Sequence, residues 1–141
     1  MLRYVLPALA LGLALPMAQA ASLKEMELTR TLEKVAQESS VGTPRAINED
    51  ILDQGYTAEG NVLINHLSVQ SSHAQKMRSD PKTVYFQLGS SVCNNPGFRK
   101  LMAKGAVMRY EITENKTNRP VASVKFVEAD CPAPAAAKKK K

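Results

Sequence analysis

The stretch "DILDQGYTAEGNVLINHLSV" (residues 50–69) contains two β-strand patterns separated by a tight turn. The turn is Glu59-Gly60-Asn61, and glycine beside asparagine is typical of short loops between antiparallel strands. The sequence therefore predicts an antiparallel hairpin at this point of the chain.

A second hairpin is predicted further along the chain. The segments "AVMRYEIT" (residues 106–113) and "PVASVKFVEA" (residues 120–129) have strand patterns and are joined around Lys116-Thr117-Asn118. Apolar residues alternate along both segments, so they share one face of a sheet. These residues are Met108, Tyr110, Ile112, Val124 and Phe126.

A helix is predicted before the first hairpin. Ser22 and Glu25 have the spacing of a capping box at its start, and Gly42 and Pro44 end it. Its apolar face consists of Leu28, Leu32, Val35 and Ala36.

Three shorter helices are predicted between the hairpins. Ser72 with Gln75 caps the first, Asp80-Pro81 begins the second, and Asn95-Pro96 begins the third, which Gly105 ends. The apolar stripe of the middle helix consists of Val84, Tyr85, Leu88 and Val92.

This order of helix, hairpin, helices and hairpin predicts an α+β fold. We expect a small antiparallel four-stranded sheet, made of the two hairpins and covered on one face by the helices.

The first twenty residues have the pattern of a secretory signal peptide. Arg3 precedes an apolar run, and Ala18-Gln19-Ala20 is a small-x-small cleavage signal. The run is short for a bilayer and contains two prolines, so no membrane span is expected after signal removal. The sequence predicts a signal peptide over residues 1–20, a single domain over residues 21–131 and a disordered Pro/Ala/Lys tail over residues 132–141.

Cys93 and Cys131 are the only cysteines of the chain. In an oxidising compartment, a single pair predicts a structural disulfide. The alternative, a reactive thiol pair, lacks the C-x-x-C spacing that tunes redox thiols. The disulfide is expected to join the central helices to the last strand, which Cys131 would end.

The formal net charge is +6, and four of the positive charges are the final residues Lys138, Lys139, Lys140 and Lys141. The folded part is therefore close to neutral, and specific nucleic-acid binding is not expected. A lysine run can make weak contacts with anionic surfaces, although such runs more often only solubilise a chain.

The sequence contains no motif that indicates catalysis, a cofactor or a metal. His66 and His73 are the only histidines, and a metal site needs three or four converging ligands. The acidic cluster Asn48-Glu49-Asp50 with Asp53 lacks the spacing of a calcium loop. We therefore expect no catalytic, cofactor-binding or metal-binding residues.

Arg99 and Arg109 are candidates for a partner-binding edge. Arg99 shares its helix with Lys100 and Lys104, while Arg109 points away from Met108 and Tyr110 on its strand. The pair is interpreted as a basic edge that recognises an acidic segment of a partner protein. The alternative is an ordinary solvated face with local ion pairs.

Two segments resemble a known family. "SSVGTPRAINEDILDQGYTAEGNVLINHLSVQ" (residues 39–70) and "SVCNNPGFRKLMAKGAVMRYEITENKTNRPVASVKFVEADC" (residues 91–131) are similar to the putative quorum-sensing-regulated virulence factors, which are small exported proteins of Pseudomonas and related bacteria. The resemblance covers nearly all of residues 23–131. It implies a mixed helix–sheet fold likened to secretion chaperones, with no established catalytic activity.

The second half also resembles, more loosely, the pilot lipoproteins of type II secretion. The shared series includes Cys93, Arg99, Gly105, Tyr110 and Cys131. The chain departs from these lipoproteins in one respect, because alanine rather than cysteine follows the predicted cleavage site.

These observations predict a periplasmic or secreted, non-enzymatic protein. The favoured function is a chaperone-like protein-binding role in this virulence factor family, with a protein partner whose identity the sequence does not give. The alternatives are an accessory, pilot-like component of the envelope or secretion machinery and, third, a small envelope hydrolase.

Overall fold

The computed structural model describes residues 15–132, with side chains from residue 22 onward. Most of the predicted signal peptide, and the predicted tail from residue 133, lie outside the described residues. None of the helices in residues 15–132 combines the length and the apolarity needed to cross a membrane. The elements in chain order are α1 (Leu15–Ser39), β1 (Arg45–Ala46), β2 (Ile51–Glu59), β3 (Val62–Val69), α2 (Ser71–Ser79), α3 (Pro81–Cys93), α4 (Pro96–Ala103), β4 (Val107–Glu114), β5 (Pro120–Phe126) and a short 3-10 turn (Glu128–Asp130).

The five strands form one mixed sheet in the order β1-β2-β3-β4-β5. The two predicted hairpins are confirmed, since β2 pairs with β3 and β4 with β5, both antiparallel. The prediction of four antiparallel strands is wrong in two respects. β1 adds a two-residue strand beside β2, and β3 pairs with β4 in parallel, from Val62 opposite Val107 to Val69 opposite Glu114.

The parallel pairing follows from the connection between the hairpins. A parallel pair needs a crossover of a dozen or more residues, and α2, α3 and α4 together supply it. The strand patterns alone are the same for either direction, so they could not distinguish the two arrangements.

One hydrophobic core lies between the sheet and the helices. All four helices contribute buried residues to it, which confirms that the helices cover one face of the sheet. Alternate residues of the strands complete it, because successive side chains point to opposite faces. The largest fully buried side chains are Leu32, Leu63, Val69, Val92, Ile112 and Phe126.

The predicted starts of the helices are confirmed at two of four positions. Asp80 accepts a hydrogen bond from the Thr83 amide, and Asn95 accepts one from the Phe98 amide. The predicted capping box at Ser22 is wrong, because α1 already begins at Leu15. Proline is tolerated in a first helical turn, so Pro16 does not prevent this earlier start.

The predicted cap at Ser72 is also wrong, because α2 begins one residue earlier, at Ser71. The Ser71 hydroxyl donates instead to Glu114 Oε2 over 2.7 Å. Arg78 donates to the other oxygen of Glu114 over 3.1 Å and to the Pro120 carbonyl over 2.8 Å. This polar network attaches α2 to β4 and to the start of β5.

The network around Glu114 is expected to make stability dependent on acidity. The hydrogen bond from Ser71 and the Arg78 guanidinium outweigh burial and lower the pKa of Glu114. A carboxylate whose pKa is lowered in the folded state stabilises the fold above its unfolded pKa, and that contribution is lost as the pH falls through the folded pKa.

Glu114→Gln should therefore be less stable than the wild type near pH 7, with the difference shrinking as the pH falls below about 4. Urea denaturation across this pH range measures the difference. Ser71→Ala removes the hydrogen bond that lowers the pKa of Glu114 most. This variant should also be less stable than the wild type near pH 7, and the difference should also shrink at low pH. A difference between wild type and Glu114→Gln that stays constant with pH would contradict this role of the network.

Candidate protein-binding surface

The disulfide joins the end of α3 to the end of the described chain. The Cα atoms of Cys93 and Cys131 are 5.5 Å apart, and the single disulfide of the predicted fold is present. Cys131 does not end the last strand as expected, because β5 stops at Phe126 and the 3-10 turn intervenes. The disulfide therefore holds the segment after β5 against the helical layer.

Arg99 lies beside this disulfide and contacts the backbone on both sides of it. Its Nη1 donates to the Cys93 carbonyl over 3.4 Å and to the Pro132 carbonyl over 3.1 Å. These contacts give Arg99 a local structural role at the end of the chain. Its role in partner binding stays a prediction.

Arg109 lies on the other face of the sheet, which none of the helices in residues 15–132 covers. Its Nε donates to Glu111 Oε2 over 2.6 Å, and the Ser123 hydroxyl donates to the same oxygen over 2.7 Å. Although burial acts to raise it, these contacts lower the pKa of Glu111. Arg99 and Arg109 thus lie on opposite sides of the sheet, and the structure does not bring them together at one edge.

The two histidines also lie apart. His66 Nε2 is 2.8 Å from the Thr57 hydroxyl on the open face of the sheet, and His73 Nδ1 is 3.9 Å from Asp50. Register places His66 opposite Glu111, yet no ion pair joins them in residues 22–132. Over the same residues, no group of three or more His, Cys, Asp or Glu side chains could hold a metal ion.

The predicted acidic cluster is divided by the fold. Asn48 accepts hydrogen bonds from the Asp50 and Ile51 amides and so shapes the loop before β2. Asp53 is buried instead, and its Oδ1 accepts from the Gly55 amide at 2.9 Å and from Asn65 Nδ2 at 3.0 Å. Asp53 therefore stabilises the bulge of β2 rather than facing solvent.

A buried tyrosine adjoins this polar group. Burial, with the nearby Tyr110 and Asp53, raises the pKa of Tyr56 to about 12. The cavity beside Tyr56, Phe98 and Tyr110 measures only about 10 Å³, which is too small for a ligand. We interpret this interior group as structural.

A larger cleft of about 490 Å³ lies between α1 and the end of α4. Ligand pockets are lined mainly by apolar side chains. Charged and polar groups account for four of the six residues here, so the cleft is a poor candidate for a small-molecule site. Its lining consists of Lys24, Glu27, Leu28, Thr31, Ala103 and Lys104.

An exposed apolar surface lies on and beside α3. Phe86 is 68% exposed, Tyr85 is 39% exposed and Val127, which directly follows β5, is 40% exposed. The Tyr85 ring lies 6.0 Å from the Phe86 ring and 4.9 Å from the buried Phe126 ring, so the core supports it from below. We call Tyr85, Phe86 and Val127 the α3 patch.

This patch is not predicted from the sequence, in which Tyr85 belongs to the apolar stripe of the middle helix. The helical periodicity of α3 does, however, indicate that Phe86 faces away from the core. Val84, Leu88 and Val92 follow one another at intervals of four, and Phe86 lies midway between two of them, on the opposite side of the helix.

Charge is distributed unevenly over the sheet. Residues 22–70, which form α1 to β3, contain eight acidic and four basic residues. Residues 71–126, which form α2 to β5, contain ten basic and three acidic residues. β3 lies in the middle of the sheet and contains no Asp, Glu, Lys or Arg, so it separates these two groups of elements. We call residues 22–70 the acidic half and residues 71–126 the basic half. The near-neutral charge of the folded part conceals this separation.

The two edges of the sheet also differ. At the acidic edge, β1 pairs with the start of β2, and the Ser40 hydroxyl contacts the backbone amide and carbonyl of Tyr56. At the basic edge, the backbone of residues 121–126 pairs with β4 and has no other hydrogen-bond partner within residues 22–132. Only the carbonyl of Pro120 is covered, by Arg78. β5 is therefore an open edge beside the α3 patch.

Comparisons with known proteins relate this fold to two groups. The model of the family described as "Putative quorum-sensing-regulated virulence factor" matches residues 21–132. The structure resembles the crystal structure of "a putative secreted protein" from Pseudomonas aeruginosa, with 64% sequence identity, a TM-score of 0.76 and coverage of 78% of this chain and 97% of that chain. Comparison with curated proteins gave no match.

Two pilotins have the same fold at low sequence identity. The pilotin EpsS of the Vibrio vulnificus type 2 secretion system is 15% identical, with a TM-score of 0.64 and coverage of 80% of this chain and 99% of that chain. The type II secretion pilotin AspS of Vibrio cholerae is 17% identical, with a TM-score of 0.66 and coverage of 79% and 99%. These likenesses concern the fold, whereas the family match spans nearly all the described residues. This chain belongs to the family of putative quorum-sensing-regulated virulence factors.

Proposed function

We propose that this protein is an exported, non-enzymatic factor that binds a partner protein, in a chaperone-like role, through the α3 patch and the basic half. The observation that carries the proposal is the exposure of Phe86 beside Tyr85, whose own ring lies against the buried Phe126. Aromatic residues held on a rigid element are typical centres of protein interfaces. The excess of basic residues around them favours an acidic partner.

Export is part of this proposal. The predicted signal peptide over residues 1–20 and the secreted description of the Pseudomonas aeruginosa relative support it. The tail residues Lys138, Lys139, Lys140 and Lys141 would add only weak, salt-sensitive contacts with anionic surfaces. The folded domain would provide specificity.

Phe86→Ser should remove partner binding while leaving the fold intact, because the side chain is mostly exposed. We expect the amount of partner retained from periplasmic and culture-supernatant fractions to fall at least about tenfold, as for a residue at the centre of an interface. Val41→Ser is the matched control, since Val41 is 73% exposed and lies beyond the end of α1, away from the patch.

Affinity capture followed by quantitative mass spectrometry gives this comparison. Identical sets of retained proteins for wild type and Phe86→Ser would contradict binding through the α3 patch. Loss of the same partner with Val41→Ser would show that the effect is not specific to the patch.

The fold shared with two pilotins favours a second candidate, an accessory component of the envelope or secretion machinery. Alanine at position 21 leaves no cysteine for lipid attachment at the predicted cleavage site. Cell fractionation distinguishes the two candidates, because culture supernatant favours the exported factor and retention with a secretion complex favours the accessory component. Intact mass of the recovered protein should show loss of residues 1–20 and no lipid.

A small envelope hydrolase is the third candidate. It would need His66 to act as a base with a carboxylate partner. The nearest carboxylate by register, Glu111, is already held by Arg109 and Ser123. This geometry favours the binding function.

A further inference from the structure

The open edge strand and the α3 patch form adjacent parts of one surface. The outer side of the β5 backbone runs unpaired along the edge of the sheet, and Tyr85 packs against Phe126, the last residue of that strand. An unpaired edge strand is a template for a strand from another chain. A strand added here would place alternate side chains toward the helices, where the α3 patch lies, and toward the open face.

Basic residues predominate along this edge, and Glu128 and Asp130 follow only after its end. Lys116, Arg119 and Lys125 lie in the β4–β5 loop and in β5, and residues 115–127 contain no Asp or Glu. Lys82 lies one turn before Phe86 on α3. A strand bound at this edge would therefore be stabilised by acidic residues on the side that faces Lys125.

We propose that β5 and the α3 patch bind an extended segment of the partner as a sixth strand, in which apolar and acidic residues alternate. This inference rests on the proposed function and identifies the chemistry of its partner. The apolar residues would contact the α3 patch, the acidic residues would face Lys125, and the backbone of β5 would supply the hydrogen bonds.

A second copy of the chain is a less suitable occupant of the same edge. Two β5 strands would bring two basic edges together, and like charges repel. The acidic edge of another copy is a poor partner strand, because its outer strand β1 has only two residues and Ser40 occupies the backbone of Tyr56 in β2. Nucleic acid would complement the positive charge of this edge, but it has no peptide backbone to form the hydrogen bonds of an added strand.

The test uses synthetic peptides of about ten residues, a length that spans an ordinary strand. One peptide alternates valine with glutamate, a second alternates valine with lysine, and a third repeats the acidic sequence with every second backbone nitrogen methylated. Titration calorimetry measures the dissociation constant, and amide hydrogen exchange of residues 121–126 reports pairing at the edge.

We expect only the unmodified acidic peptide to bind and to slow exchange in β5. Lys125→Glu, an exposed position, should weaken its binding about tenfold or more through charge repulsion, and Phe86→Ser should do likewise. Lys34→Glu on the exposed side of α1 is the matched control and should leave binding unchanged.

Failure of the acidic peptide to bind, or equal binding of the methylated peptide, would overturn strand addition. So would slow exchange of β5 in a dimer without peptide, which would identify a second copy as the occupant. Displacement of the peptide by a single-stranded oligonucleotide with the same sensitivity to Lys125→Glu would indicate a general polyanion site. If these tests fail while Phe86→Ser still abolishes partner capture, the proposed function stands and strand addition alone is wrong.

Discussion

Replacing Cys93 with serine is expected to lower the free energy of unfolding by about 4 kcal/mol, the loop-entropy estimate for a closed loop of this size. The two cysteines are 38 residues apart, and the loop between them contains α4, β4 and β5. Because the total stability of a small domain is only about 5–15 kcal/mol, the loss would be a large fraction of it. Arg99 would also lose the chain end whose Pro132 carbonyl it contacts.

Cys131→Ser and the double variant should lose as much as Cys93→Ser, since each removes the same covalent link. Urea denaturation of the three variants and of oxidised and reduced wild type measures the effect. Two titratable thiols in protein prepared under oxidising conditions, or a double variant as stable as the wild type, would contradict the structural role of the disulfide.

Gly55→Ala is expected to cost about 2–4 kcal/mol, from backbone strain and lost hydrogen bonds together. Gly55 has a φ of +109°, which residues with a side chain rarely adopt. A Cβ at this position would lie 3.0 Å from the Thr43 hydroxyl and 3.1 Å from the Ser40 hydroxyl. Ser40 would have to move, and its contacts with the Tyr56 backbone would be lost.

Gly60→Ala is the matched control for this effect. Gly60 also has a positive φ, +59°, but nothing lies within 4 Å of a Cβ there. Its replacement should cost only the strain of the backbone, about 1–2 kcal/mol. Equal losses in the two variants, measured by thermal or urea denaturation, would show that the contact of α1 with the bulge of β2 contributes nothing.

The local parts of this fold could be predicted from the sequence. Both hairpins, the caps at Asp80 and Asn95 and the inward faces of β4 and β5 depend on neighbouring residues, and a single sequence contains that information. The parallel pairing of β3 with β4 depends on where three helices return the chain. No local pattern specifies that, and β1 has only two residues and no pattern at all.

The candidate surface was harder to predict, for two physical reasons. An exposed aromatic such as Phe86 differs from a core aromatic only in its angular position around the helix axis. Because Tyr85 is adjacent and also aromatic, this difference is hard to recognise in the sequence. The basic half depends on which elements lie side by side in the sheet, and the near-neutral net charge of the folded part gives no sign of it. The sequence predicts Arg99 and Arg109 as one basic edge, but only the fold shows that they lie on opposite sides of the sheet.

If the α3 patch binds a partner protein, it contacts that protein in the cell that exports this chain. Photocrosslinking in producing cells tests this contact, with a photoreactive benzoyl-phenylalanine in place of Phe86 and, as a control, in place of Val41. On illumination, we expect position 86 to form one discrete adduct with a protein that carries an acidic segment, and position 41 to form none. No adduct at position 86, or the same adducts from both positions, would contradict binding through the α3 patch.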